Sequence, residues 1–448
     1  MNKCIALTIF VIFSSISVYS QNALQSNSES SRPNGHWSGW IQRGNQRYDI
    51  SMELKESEGK WVGEFEMPSM GYQKHDLLGV KVQNNPQKQI AISLPLPVGS
   101  LKLLGTFAGS AFIKGTLEPV TLVKGQWKSL GIAGAFEIRR GQNPELPYEI
   151  HEVDFSNREI NLSGSLYLPK GKGPFPAAVF ISGSGDAKRG EGGFISDRLA
   201  RAGIAVLAYD KRGVGTSTGS WKTASFDDLG SDATAALEAL RKFQKIDSSK
   251  IGFICQSQGC WIAPVAIRNG AKADFLVSMS GPAVSVSEEH LDYYKVTLEA
   301  GGFSSSDIKK AFELVRTDQD VSLGLKTWAE LQLLIEKYKG EEWFRFLKYE
   351  PLKIDDPLRE FQKKTALYNS TKDLNSLPIP SLWLYGTSDK IIPVVESIAR
   401  IKQLQSKIKP EVITLNGADH SLTVWLPEQL PEVAENYPLK IINWIKKR

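Results

Sequence analysis

The string Cys255-Gln256-Ser257-Gln258-Gly259 sits between the apolar run Ile251 to Ile254 and the helix-patterned run Trp261 to Arg268. A serine on a sharp strand-to-helix turn is held with its hydroxyl forward, and the turn accepts only small neighbours, so such sites usually read G-x-S-x-G. Here Cys255 stands at the first glycine position. Taken alone, the string also fits an ordinary turn. Reading Ser257 as a nucleophile therefore depends on whether a base and an acid follow it in the chain.

Five histidines occur in the sequence. His36 and His75 fall in a strand-rich N-terminal part, His151 precedes the later strands, and His290 opens a long helical segment. His420 remains, in the loop Asn416-Gly417-Ala418-Asp419 that follows the apolar strand Val412 to Leu415. A lone loop histidine is otherwise a solvated surface residue, but this one lies where open α/β sheets bind ligands, beyond the carboxyl ends of their strands. Asp389 ends Tyr385-Gly386-Thr387-Ser388-Asp389, again directly after an apolar strand, and lies between Ser257 and His420 in chain order. Ser257, Asp389 and His420 thus form a candidate triad, with the acid fixing the imidazole tautomer and the imidazole taking the hydroxyl proton. Asp419 is the competing acid, although direct adjacency to His420 tends to point the two side chains apart. Acyl transfer also needs donors for a developing oxyanion. The backbone N–H of Gln258 supplies one, and Ser184 in the glycine loop Ser182-Gly183-Ser184-Gly185 is the candidate for the other. That loop has neither a G-x-G-x-x-G pattern nor a Lys-Ser/Thr ending, so a phosphate cradle is disfavoured.

These residues must be carried by strands and helices in alternation. Ile150 to Phe155, Ile160 to Leu168, Ala177 to Ile181, Ile204 to Tyr209, Ile251 to Ile254, Phe275 to Met279, Ser381 to Tyr385 and Val412 to Leu415 read as strands, most of them near-continuously apolar. Such strands belong to a mostly parallel sheet covered by helices on both faces. Between about 287 and 374 the rhythm gives way to a helical insertion containing Trp328, Trp343 and Phe344, expected to cap the site or to extend the outer helical layer. In the turn Tyr209 to Ser217, Asp210 and Arg212 are expected to pair and hold the loop. Before Pro147 the pattern differs. Tyr48, Ile50, Met52 and Leu54 alternate with polar residues, and the same period recurs at Trp61 to Met67, Ile90 to Leu96 and Ala135 to Arg139. A small antiparallel barrel or sandwich over 36–145 follows, then an α/β domain over 146–448.

With 41% hydrophobic and 23% charged residues over 448 positions, the chain can bury a sizeable core. Its net charge of +5 is spread without a basic stripe, which argues against nucleic acid as a partner. Residues 1–20 carry Lys3, an apolar stretch from Cys4 to Ile16, and Val18 and Ser20 before a cleavage point, the pattern of an export signal peptide. That stretch is too short for a retained span, so no membrane span is expected after its removal. Residues 21–35, rich in Ser and Asn, read as a flexible leader. The mature chain would keep Cys255 and Cys260 alone, and a bridge between residues flanking the nucleophile would be expected to strain the turn; free, buried thiols are the expectation.

Pro174 to Arg189, the Y-D-x-R-G-x-G-x-S-x-G turn of Tyr209 to Gly219, and the placement of Asp389 and His420 together resemble secreted bacterial alpha/beta-hydrolases of the serine-aminopeptidase-like and acyl-esterase branches that carry an N-terminal β domain. The elbow departs from the family's usual G-H-S-E-G-G. The resemblance implies an alpha/beta-hydrolase fold, ester hydrolysis on short or medium acyl chains, a small-molecule ester or short peptide as substrate, and no metal or organic cofactor. A serine aminopeptidase-like or acyl-peptide hydrolase is the alternative within enzymes. From another class, an envelope or carbohydrate-binding protein with an inactive hydrolase domain would use Trp37, Trp40 and Trp61 to stack on sugars, although core packing is the commoner use of such residues.

Overall fold

The computed structural model describes residues 34–70, 72–83, 89–95, 100–108, 111–113, 116–118, 122–129, 132–141, 146–425 and 432–448. The signal peptide expected over 1–20, and all but the end of the leader, lie outside the described residues. The chain divides into two compact units that meet in sequence near residue 145.

The first unit is a meander. Strands Gly35–Arg43, Gln46–Ser57, Lys60–Met67, a bent pair Tyr72–Asp76 and Gly79–Gln83, then Gln89–Pro95, Ser100–Ala108, Leu122–Ser129 and Ile132–Arg140 follow one another. Each pairs antiparallel with the next. The bent pair bridges its neighbours, its first half on Lys60–Met67 and its second on Gln89–Pro95. Ile132–Arg140 returns to the first strand, from Trp37↔Arg140 to Ile41↔Phe136, and closes the ring. The unit is therefore a barrel rather than a sandwich. The two-residue period explains its core: Ile50, Met52 and Leu54 are buried along one strand, and Ile90, Ile92 and Leu94 along another. Trp37 is fully buried, Trp40 is half-buried beneath the Arg47 guanidinium at 4.1 Å, and Trp61 is half-buried.

The second unit is built on strands β1 (Tyr148–Asn157), β2 (Ile160–Pro169), β3 (Phe175–Ile181), β4 (Ala205–Tyr209), β5 (Ile246–Gln256), β6 (Leu276–Met279), β7 (Ser381–Gly386) and β8 (Glu411–Leu415). Their order in the sheet is β1-β2-β4-β3-β5-β6-β7-β8. The pairs β1–β2 and β2–β4 are antiparallel and every later pair is parallel. The apolar runs face both ways. In β7, Trp383 and Tyr385 pack with helices α2 (Phe226–Arg241) and α3 (Gly259–Arg268), while Leu382 and Leu384 pack with α1 (Gly193–Arg201) and the C-terminal helix Tyr437–Lys446. The two clusters are the two layers of core expected of a parallel sheet buried on both faces.

Between β6 and β7 lie six helices, α4 (Val286–Ala300), α5 (Ser305–Ser322), α6 (Trp328–Tyr338), α7 (Glu342–Leu347), α8 (Leu358–Thr365) and α9 (Thr371–Asn375). The first three start at capping boxes, Ser285 with Glu288, Ser304 with Asp307 and Thr327 with Glu330. Leu298, Leu314, Leu331 and Trp343 form a core belonging to this segment. Phe361 and Tyr368 tie it to the sheet domain through edge contacts with Trp221 and Phe226.

The turn after β4 corrects one expectation. Asp210 and Arg212 do not pair with each other. Asp210 accepts from the backbone N–H of Arg189 at 2.8 Å and from its Nη2 at 2.9 Å, whereas Arg212 forks onto Asp232 of α2 at 2.6 and 2.7 Å. Residues two apart across this tight turn face different neighbours, and Gly215 leaves the space that Asp210 occupies, since a Cβ there would lie 2.3 Å from its Oδ2. Both members of the Arg212–Asp232 pair are buried. Asp232→Asn strands a buried guanidinium, so unfolding in urea should show a loss of about 3–5 kcal/mol, and a change below about 1 kcal/mol would contradict this account of the turn.

Candidate active site

The end of β5 and the start of α3 place Ser257. Its backbone is left-handed, with φ 51°. That conformation is unusual for a residue with a side chain and is found where surrounding contacts enforce it. Here the Ser257 N–H donates to Met279 O at 3.0 Å, and Ser257 O accepts from the Cys260 N–H at 2.9 Å. Gly259 has to be glycine, because a Cβ on it would lie 2.3 Å from Ile181 O and 2.7 Å from Ser182 O. The helix thus begins flush against the end of β3. Gln258 occupies the helix N-cap and is almost fully buried, so its backbone N–H lies at the positive end of α3, where anions are favoured.

Cys255 and Cys260 are joined in a disulfide with their Cα atoms 5.1 Å apart, against the expectation of free thiols. Both are fully buried, as expected. The elbow folds the first turn of the helix back over the strand end and brings the two Cα atoms within ordinary bridging distance, so the turn accommodates a link that sequence separation alone made appear strained.

Asp389, just beyond β7, has a side chain with no solvent exposure. Its Oδ1 accepts from the backbone N–H groups of Ile391 at 2.8 Å and Ile392 at 3.3 Å, and its Oδ2 lies 2.8 Å from Nδ1 of His420, beyond β8. An ionised carboxylate only accepts, so Nδ1 carries the proton and Nε2 is left free to act as a base. Asp419 is engaged in its own turn, accepting from Ser421 N, Thr423 N and Trp425 Nε1. The other histidines have other surroundings: His36 faces Glu53, His75 packs on Tyr72, His151 faces Glu149 and His290 meets Gln319. Ser257, Asp389 and His420 all follow strands of the parallel part of the sheet at their carboxyl ends.

The loop after β3 lies beside Ser257. A Cβ added to Gly183 would stand 3.4 Å from the Cβ of Ser257 and 4.0 Å from its Oγ, and Ser184 is exposed next to it. Among the described residues no group of three or more His, Cys, Asp or Glu side chains is disposed to hold a metal, and no helix is long and apolar enough to cross a membrane.

One residue of this neighbourhood escaped the sequence reading. Glu289, in the first turn of α4, has its carboxyl pushed up to about 7. Burial is the main cause; His420 pulls it back, while Asp389 and Asp292 push it further up. In sequence it is one of two glutamates at a helix start, a position that the helix dipole favours without any ligand.

A family profile described as serine aminopeptidase, S33, matches residues 177–314. The matched stretch holds the glycine loop, the turn after β4 and the elbow on strands in the order described above. The fold is that of an alpha/beta hydrolase. Asp389 and His420 lie beyond the matched stretch. Esterase EstD of Thermotoga maritima is 26% identical over 292 residues, covering 62% of this chain and 62% of its own length, so the match spans about three fifths of that relative. The AB hydrolase superfamily protein YisY of Bacillus subtilis is 24% identical over 44% of this chain and 68% of its own. Among solved structures, an esterase of Pyrococcus furiosus is 19% identical with a TM-score of 0.42, covering 68% of this chain and 93% of that one.

The raised carboxyl of Glu289 makes stability depend on pH. Its folded value lies above its unfolded one, so the contribution is fully present below about 4.5 and is lost as pH rises through about 7. Glu289→Gln should therefore raise Tm at pH 8 and leave it nearly unchanged at pH 5. An equal shift at both pH values would show that the carboxyl is not desolvated.

Proposed function

We propose that the chain is an exported serine hydrolase that cleaves carboxylic esters of small or medium acyl chains through an acyl-enzyme on Ser257. The observation that carries the reading is the 2.8 Å contact between His420 Nδ1 and the buried Asp389 carboxylate, at the same sheet edge as a serine held in left-handed backbone. In this reading His420 Nε2 takes the Ser257 Oγ proton as Oγ attacks the ester carbonyl. The oxyanion is bound by the backbone N–H groups of Ser184 and Gln258. His420 then protonates the departing alkoxide, which leaves as alcohol. Water, deprotonated by His420, attacks the acyl carbon; the carboxylic acid leaves and Ser257 regains its proton. Asp389 stays ionised throughout, orienting the ring and stabilising the imidazolium.

The esterase named among the relatives supports the ester preference. The disulfide at Cys255–Cys260 supports the exported location, since such bonds persist in oxidising compartments and are rare in reducing ones. A second reading, hydrolysis of aminoacyl amides, is supported by the description of the matching family profile and by the Glu289 carboxyl beside His420 and Asp389. Aminoacyl p-nitroanilides assayed beside p-nitrophenyl esters separate the two.

A fluorophosphonate should label the protein at Ser257 and at no other serine. Ser257→Ala should abolish labelling and lower ester kcat by about 10⁴-fold or more, and Asp389→Asn should lower it on the order of 10⁴-fold. Wild-type turnover by Ser257→Ala would overturn the proposal.

A further inference from the structure

Three basic residues lie close together around the turn after β4, and two have carboxylate partners. Arg189 pairs with Asp210 and Arg212 with Asp232. Lys211, only 4% exposed, is different. Its ammonium donates to Gly183 O at 2.5 Å, to Gly185 O at 3.3 Å and to Gln258 Oε1 at 3.4 Å. Among the described residues no carboxylate lies within ion-pair distance of it. Burying a cation against neutral acceptors alone is costly, so simple stabilisation is a poor account of its presence.

The acceptors point to another account. Gly183 O and Ser184 N–H are the two ends of one peptide group, and in a trans peptide they point in opposite directions. A cation donating to Gly183 O therefore turns the Ser184 N–H away from Lys211. It also polarises the amide, which makes that N–H a stronger donor. Gly185 O fixes the far side of Ser184. Gln258 supplies the other proposed oxyanion donor from its backbone, and its side chain reaches the same ammonium. One group thus spans both halves of the oxyanion site, beside a loop that lies against Ser257.

We propose that Lys211 is a positioning residue: its ammonium orients and polarises the Ser184 peptide and ties it to Gln258, so that both oxyanion donors are in place before the substrate arrives. The proposal rests on the reading of Ser257 as the nucleophile. Lys211 is also set to respond to pH. Burial pushes its ammonium down to about 8, against the pull of Glu191 and Asp186, while Trp221, itself held by Asp186, covers it with a ring at 5.4 Å. Below that pH the cation is present; above it a neutral amine polarises the peptide less, and kcat declines.

Ester kinetics on Lys211→Met and Lys211→Arg in the full chain, from pH 6 to 10, provide the test. Lys211→Met should lower kcat by about 10- to 100-fold with KM nearly unchanged and should lose the decline near pH 8. Lys211→Arg should retain more activity and move the decline above pH 10. A trifluoromethyl ketone, which binds Ser257 as an oxyanion, should lose affinity for Lys211→Met by the same factor, whereas its fluorine-free parent ketone should not. Should Lys211→Met fail to fold, the wild-type enzyme decides, its affinity for the trifluoromethyl ketone falling above pH 8 relative to that for the parent. Unchanged kcat in Lys211→Met, equal losses for both ketones, or an unaltered pH profile would overturn the role of Lys211. Retained turnover in Ser257→Ala would instead overturn the ester-hydrolase reading beneath it.

Discussion

Two backbone carbonyls, those of Ile181 and Ser182, stand so close to Gly259 that no side chain fits there, and most of the site follows from that approach. It fixes how far α3 can advance toward β3. The chain leaving β5 has to reverse within two residues, and Ser257 takes the left-handed conformation that makes the reversal possible. The same closeness brings the glycine loop after β3 alongside the serine, because that loop begins at the carbonyls Gly259 touches. The disulfide then closes the reversal covalently, from the strand end to the first helical turn. Ser257, helix terminus and loop thus share one steric constraint, and parallel pairing of β3 with β5 sets it.

Charge is arranged around this constraint in two distinct ways. Arg189 and Arg212 each fork onto a carboxylate, a geometry that locks the loops carrying them. Lys211 is buried and Glu289 half-buried, neither with an ion-pair partner among the described residues, and both are shifted toward their uncharged forms, the lysine downward and the glutamate upward. Matched pairs brace the scaffold; the mismatched groups act on the glycine loop and on the Asp389–His420 pair.

Much of the fold was legible because a parallel sheet covered on both faces writes itself as uninterrupted apolar runs. Ala177 to Ile181 and Ser381 to Tyr385 stand out on that ground, and the barrel strands by their strict alternation. Closure of the barrel was not legible, since it depends on Trp37 meeting Arg140, over a hundred positions away. The same holds at the site. That Asp389 and His420 would meet was legible because each follows a recognisable strand. The role of Lys211 was not, because two of its three acceptors are backbone oxygens, which leave no mark on sequence. The Asp210–Arg212 pairing was misread for a related reason: nearness along the chain says little about the direction of side chains around a tight turn, where each found a distant partner. The cysteines failed in the opposite sense, since the reversal that seemed to forbid their bond is what brings them together.

The ring of the first unit has a consequence for how such a chain can be assembled. Its first and last strands are antiparallel neighbours, with Trp37 opposite Arg140, so the polypeptide enters and leaves the barrel at the same end, roughly one inter-strand spacing of about 5 Å apart. A body whose two ends emerge side by side behaves as a cassette: it can be spliced into a host sequence, or cut out of one, without rethreading whatever surrounds it.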